Sequence, residues 1–281
     1  LHALTSMDTL KPRVAVGRQA PLPSDLHVFS LQLEAHGRGS PAEAAHIAYG
    51  LMHYWMIRGR AAEGLQWYEQ ILNRSSLPHV LESKVLVGAA MMSYSLGDLG
   101  RARTGLTRAL ALAHDAGDAD TVAQAEHLFG HVEHGAGDAI AARDRFTRSV
   151  AGFRALGIPW GVGNSLNGMA KVAIAIGDDA EAERLLDEAT TVLQHCPWFL
   201  ALVLYRRAIL AVQRGNADEA IALVRESLAL LRREDGVVLV RLLGEELVVV
   251  ERHARALELG RHLQRPSFEH VVLPRGVVAA G

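Results

Sequence analysis

The stretch Ala170-Lys171-Val172-Ala173-Ile174-Ala175-Ile176-Gly177-Asp178-Asp179-Ala180-Glu181-Ala182-Glu183-Arg184-Leu185-Leu186 decides the fold. An apolar, proline-free segment runs up to a Gly-Asp pair, and a second segment with helical spacing starts directly after it. Gly accepts the left-handed conformation that ends a helix, and Asp can then cap the next one. Small Ala182, large Leu186 and Ala189 follow Gly177 at steps of four and three, which puts them on one helical face. Small Ala170 sits seven residues before the Gly. Small residues beside large ones on a packing face let helices approach closely and fill the space between them.

Working outward, the same joint recurs at Gly59-Arg60, Gly97-Asp98, Gly137-Asp138 and Gly215-Asn216, so the five glycines are spaced 38, 40, 40 and 38 residues apart. The small position after each Gly is Gly64, Ala102, Ala142 and Ala220, and the large one is Tyr68, Leu106, Phe146 and Val224. The third position of the stripe is Ile71, Ala109, Ser149 and Ser227, and seven before the Gly stand Met52, Ala90, Gly130 and Ala208, all small but Met52. A fixed period of this length is the mark of a repeat array. The first helix of each hairpin is predicted over 42–58, 80–96, 120–136, 160–176 and 198–214. The second is predicted over 61–74, 99–115, 139–155, 179–194 and 217–232. Pro41, Pro78, Pro159 and Pro197 stand at or before helix starts, where proline is tolerated. Fold class is therefore all-α, a stack of five to six helix hairpins. Residues 1–40 form an irregular extension with room for one short helix over Leu26–Ala35. The repeat domain spans 41–264, its end a degenerate sixth pair over 237–264, as the last unit of a stack needs an atypical outer face. Residues 265–281 read as a loosely ordered tail.

Composition narrows the function classes. The 281 residues carry 29 basic and 31 acidic side chains and a net charge of -2, without the basic excess that nucleic-acid or membrane-surface binding calls for. Lone Cys196 rules out an intrachain disulfide framework and fits a reducing compartment, so the chain is placed in the cytoplasm. No apolar run reaches the ~18 residues of a membrane helix, and the N-terminus has no signal-peptide pattern. It begins at Leu1 rather than Met, which fits a fragment of a longer protein as well as a stand-alone chain.

The hairpin resembles the tetratricopeptide repeat (TPR), with a period longer than its usual ~34 residues and so longer helices. Tyr54-Trp55-Met56-Ile57-Arg58-Gly59-Arg60-Ala61-Ala62-Glu63-Gly64-Leu65-Gln66-Trp67-Tyr68 resembles the first repeat of the C-terminal TPR sensor region of bacterial LuxR-type and AfsR-type (MalT-like) transcriptional regulators. Gly97-Asp98 to Gly117-Asp118 resembles their middle repeats. The resemblance covers roughly 41–264 and implies a right-handed superhelix (α-solenoid) that serves as a non-catalytic module binding a protein or peptide in a concave groove. In that family a nucleotide-binding ATPase domain precedes the repeats and a helix-turn-helix often follows. No G-x-x-x-x-G-K-[ST] is present, and the three lysines are Lys11, Lys84 and Lys171. ATP and DNA binding are carried over to no residue, and no cofactor is expected. The chain is either the sensor region of a regulator or a stand-alone scaffold that assembles partners or self-associates into a homo-oligomer.

In the resembled fold, groove residues fall 13, 10, 6 and 3 positions before the turn Gly. Here those are His46, Tyr49, His53 and Met56; Lys84, Val87, Met91 and Tyr94; Gln124, His127, His131 and His134; Asn164, Asn167, Lys171 and Ile174; and Leu202, Tyr205, Ile209 and Val212. No carboxylate is among them, so the wall suits a peptide or an anionic partner through hydrogen-bonding and weakly cationic groups. His127, His131 and His134 stand at i, i+4 and i+7, a spacing that opens a small-molecule, metal-sensor or pH-sensor reading; no carboxylate shares that face, and no metal site is assigned. Glu126, Glu133 and Arg207 fall on the packing stripe, where they either pair with neighbouring helices or mark a third unit rotated so that its histidines point partly inward.

Enzyme signatures are missing. There is no G-x-S-x-G elbow. Gly161-Val162-Gly163-Asn164-Ser165 opens a helix without a preceding strand or the third Gly of a dinucleotide loop. His195 and Cys196 are neighbours in sequence only.

Overall fold

A computed structural model of the chain describes residues 40–74, 76–233, 248 and 250–256. The described residues hold no strand and, besides a helical stretch at 250–256, eleven helices. They are α1 (Pro41–Gly50), α2 (Met52–Ile57), α3 (Ala61–Arg74), α4 (His79–Ser95), α5 (Leu99–Asp115), α6 (Ala119–Gly135), α7 (Ala139–Ala155), α8 (Pro159–Ile176), α9 (Asp179–Leu193), α10 (Pro197–Gln213) and α11 (Ala217–Arg233). They fall into two compact units, the first running to Thr121 and the second from Val122. In the first, α4 packs on α3 and α5; in the second, α8 packs on α7 and α9, and α10 on α11.

The two-residue joint works as the sequence reading expects. Gly97 and Gly177 have φ of 81° and 79°, in the left-handed region where a Cβ would be strained. The next N–H then reaches back five residues: Asp98 N–H donates to the Ser93 carbonyl and Asp178 N–H to the Ala173 carbonyl, both at 2.9 Å. The same aspartates open the next helix, with Asp98 Oδ1 accepting from Arg101 N–H at 2.9 Å and Asp178 Oδ1 from Glu181 N–H at 3.2 Å. One pair of residues thus satisfies orphan carbonyls of one helix and orphan N–H groups of the next. Gly117-Asp118 makes the same joint after α5. Pro41, Pro159 and Pro197 occupy the first turns of α1, α8 and α10.

Helix bounds match the predicted ones closely, with one difference. The first predicted helix, 42–58, is interrupted at Leu51, whose N–H is shared between the Ile47 and Ala48 carbonyls at 3.0 and 3.1 Å. Exposed Gly50 precedes it, and a helical Gly costs about 1 kcal/mol relative to Ala, which weakens the turn there.

The packing stripe is the core. Ala102, Ala142, Ala182 and Ala220 are completely buried, as are Tyr68, Leu106, Phe146, Leu186 and Val224; a large apolar side chain so buried contributes roughly 1.5–3 kcal/mol. Where the stripe carries Ser, the hydroxyl is satisfied by a helix carbonyl: Ser149 Oγ donates to Ala123 O and Ser227 Oγ to Ala201 O, both at 2.8 Å. Buried Glu126 accepts two hydrogen bonds from Arg145 at 3.0 and 3.2 Å, and Arg207 pairs with Asp187. Pairing with the neighbouring helix therefore accounts for these two misfits of the stripe. The predicted short helix over 26–35, the tail, and most of the sixth hairpin lie outside the described residues. Residues 250–256 of that hairpin are helical, with Val250 and Ala254 in the second unit's core.

Candidate ligand groove

The predicted groove residues form two sets, one in each unit. In the first unit, α1 and α2 carry exposed His46 and His53 and half-buried Tyr49 and Met56; α4 carries half-buried Lys84, Met91 and Tyr94. Lys84 Nζ stands 6.0 Å from the centre of the Tyr49 ring, a cation–π distance, and 3.4 Å from Asp118 Oδ2. This corrects the acid-free wall expected from sequence. Asp118 is a turn residue, outside the four groove offsets, yet it partly neutralises one of the two groove lysines. Its partial burial works against ionisation, but hydrogen bonds from Thr121 and the Lys84 charge outweigh that and hold the carboxyl below its ordinary value.

In the second unit, α6 carries Gln124, His127, His131 and His134, α8 carries Asn164, Asn167 and Lys171, and α10 carries Tyr205. The histidines turn partly inward. Gly130 and Gly168 have no side chain where the Phe146 ring lies, and His127 and His131 meet that ring edge-on at 5.7 and 5.0 Å between centres. The two imidazoles are themselves 4.8 Å apart. Burial pushes the His127 pKa down to about 4. His131 is held well below its usual value by burial, then by His127, Lys171, Arg206 and His134. His134 is brought to about 4 by burial and by Lys171 and Arg206. At neutral pH all three are uncharged, which corrects the weakly cationic character expected of them; Lys171 and Arg206 supply the positive charge instead. Sequence reasoning missed Arg206 because it falls nine residues before Gly215, between groove offsets, although Leu202 and Ile209 flank it at four and three residues on the same helix face.

Both ring nitrogens of His127 are engaged. Asn164 Nδ2 is 3.1 Å from Nε2, and Ser165 Oγ is 3.0 Å from Nδ1. The triplet is therefore not poised as a chelate, and no cluster of metal-ligating side chains occurs among the described residues. Asn167 stands apart: it is 7% exposed, and its Oδ1 is buried with no hydrogen-bond partner. An orphaned buried acceptor costs about 1–3 kcal/mol. Among the described residues no helix is long and apolar enough to cross a membrane.

No protein-family model and no curated protein sequence matches the chain. Solved structures do. BtubC (BKLC) from P. vanneervenii aligns over 78% of this chain and 94% of its own, with a TM-score of 0.61 and 14% identity. A Rap protein complexed with Competence and Sporulation Factor aligns over 83% and 73%, with a TM-score of 0.57 and 13% identity. A Podosopora anserina protein of nearly identical TPR-like repeats aligns over 70% and 98%, with a TM-score of 0.51 and 16% identity. The fold is that of TPR-like α-solenoid proteins.

Proposed function

We propose that this chain is a non-catalytic TPR module that binds a protein or peptide segment through the α6–α8–α10 face of its second unit. The orphaned carboxamide oxygen of Asn167 carries the reading, because a helix face that leaves a buried acceptor unsatisfied is suited to an incoming N–H donor. The first unit's Tyr49, Lys84, Met91 and Tyr94 offer the aromatic, flexible and hydrogen-bonding contacts that peptide recognition uses. The Rap protein of the same fold is complexed with a factor, which is in keeping with a binding role for such repeats. A catalytic role gains nothing from the contact between Ser165 and His127. Ser165 is completely buried, so its hydroxyl, in contact with Ser149 and His127, is closed to a substrate. The setting in a bacterial transcriptional or signalling regulator rests on the resemblance of residues 54–68.

Panning a random-peptide phage library on the whole chain tests the reading. Enriched peptides are expected to bind Asn167→Leu about tenfold more weakly, the worth of one well-placed hydrogen bond. Failure to enrich any peptide, or equal binding by the variant, overturns it.

A further inference from the structure

A chain of hydrogen bonds runs from the core of the second unit into the groove, and its direction is fixed at one end. The Ala123 carbonyl can only accept, so Ser149 Oγ, 2.8 Å away, commits its single proton there. The 2.9 Å contact between Ser149 Oγ and Ser165 Oγ must then use the Ser165 proton. Ser165 has none left for His127 Nδ1 at 3.0 Å, so Nδ1 is the donor. A neutral imidazole protonated at Nδ1 has a bare Nε2, and that nitrogen accepts from Asn164 Nδ2 at 3.1 Å. Four contacts use four protons. With the proton on Nε2 instead, Ser165 must donate to Nδ1, and two serine oxygens face each other with no proton between them.

The result at the groove is a carboxamide that cannot be flipped without breaking the chain. With Nδ2 held by His127, Asn164 is left to hydrogen-bond through its oxygen. Three residues along the same helix, Asn167 Oδ1 is buried and has no hydrogen-bond partner. We propose that Asn164 Oδ1 and Asn167 Oδ1 form an acceptor pair for a ligand that brings N–H donors, such as the main chain of an extended peptide, with His127 as the positioning residue that fixes this polarity. The source of the donors rests on the peptide-binding reading; the polarity does not.

Three measurements on the full chain separate the two. Imidazole nitrogen NMR at neutral pH is expected to show His127 protonated at Nδ1; protonation at Nε2 overturns the inference. Titration with N-methylacetamide, which has one N–H, is expected to shift the side-chain amide signals of Asn164 and Asn167, while N,N-dimethylacetamide, which has none, binds about tenfold more weakly, the worth of one hydrogen bond. Equal response to the two amides, or no response to either, overturns it as well. Ser149→Ala removes the start of the chain at a position where the equivalent residues of other hairpins, Ala109 and Ala189, are alanine, so the fold tolerates it. That variant is expected to give a mixture of His127 tautomers and to lose the preference between amides, and Ser149→Thr to restore both. An unchanged tautomer in Ser149→Ala overturns the relay. A clear preference for N-methylacetamide with no peptide enriched from the phage library leaves the acceptor pair standing and removes the peptide.

Discussion

The Phe146 ring is seated directly on Gly168: a Cβ at residue 168 would lie 2.5 Å from the ring carbon Cε1. Gly130 lines the ring from α6 in the same way, at 2.8 Å. Both glycines stand inside helices, where each costs about 1 kcal/mol of propensity relative to Ala, so close approach explains their presence.

Gly168→Ala is expected to destabilise the protein by about 1–3 kcal/mol despite its better helix propensity, because a rigid buried ring has nowhere to move. Adding Phe146→Leu should recover part of the loss. Denaturant unfolding of the single and double variants checks this, and a stabilised single variant refutes the close-approach account.

The joints and the packing stripe were legible in the sequence because each rests on local chemistry repeated five times. Gly177-Asp178 specifies its own turn, and Ala182 with Leu186 specifies its own face. The charge around the proposed groove residues was not legible. Asp118 reaches Lys84 from a turn, Arg206 lies between groove offsets, and His127 and His131 lean on Phe146 only because residues 130 and 168 have no side chains. Each depends on a residue in another helix, and a one-helix periodicity does not hold that information. The relay from Ala123 to Asn164 is less visible still, since it combines Ser149, an irregular member of the stripe, with Ser165, which belongs to no repeated position.

Glu126 is buried and held by Arg145, whose guanidinium also lies 3.9 Å from the centre of the Phe129 ring. Arg145→Met is expected to cost up to about 3 kcal/mol, because it leaves a buried carboxylate with only the more distant guanidinium of Arg148, 3.6 Å away. Glu126→Leu in the same chain should return most of that stability. A double-mutant cycle by thermal unfolding measures the coupling, and additive losses would show that the two groups act independently.

Asn167→Leu is expected to raise stability by about 1 kcal/mol in the absence of any ligand, since it replaces an orphaned buried acceptor with an apolar group of similar size. Together with weaker peptide binding, that result would place the cost of the orphan on the side of function. A lower melting temperature for the variant would show that Asn167 is structurally satisfied.

Stability should fall as the solution is acidified, through the histidines of α6. His127 and His134 titrate near 4 in the folded protein against 6.5 for the free side chain, and His131 lies well below its usual value. Between those values the unfolded chain binds protons that the folded chain refuses, so unfolding is favoured as pH drops. The contribution is therefore fully present above about pH 6.5 and is lost progressively toward about pH 4. Each tenfold loss of proton affinity on folding is worth at most about 1.4 kcal/mol, less for side chains that keep some contact with water. The groups facing them, Lys171 on α8 and Arg206 on α10, stay cationic throughout and oppose protonation at every pH in that window. Denaturant midpoints for the wild type and for His134→Gln, measured from about pH 8 down to about pH 4.5, test the assignment. The wild-type midpoint should decline below about pH 6.5 and the variant's should decline less steeply. Parallel curves would mean that His134 is protonated alike in the folded and unfolded chain.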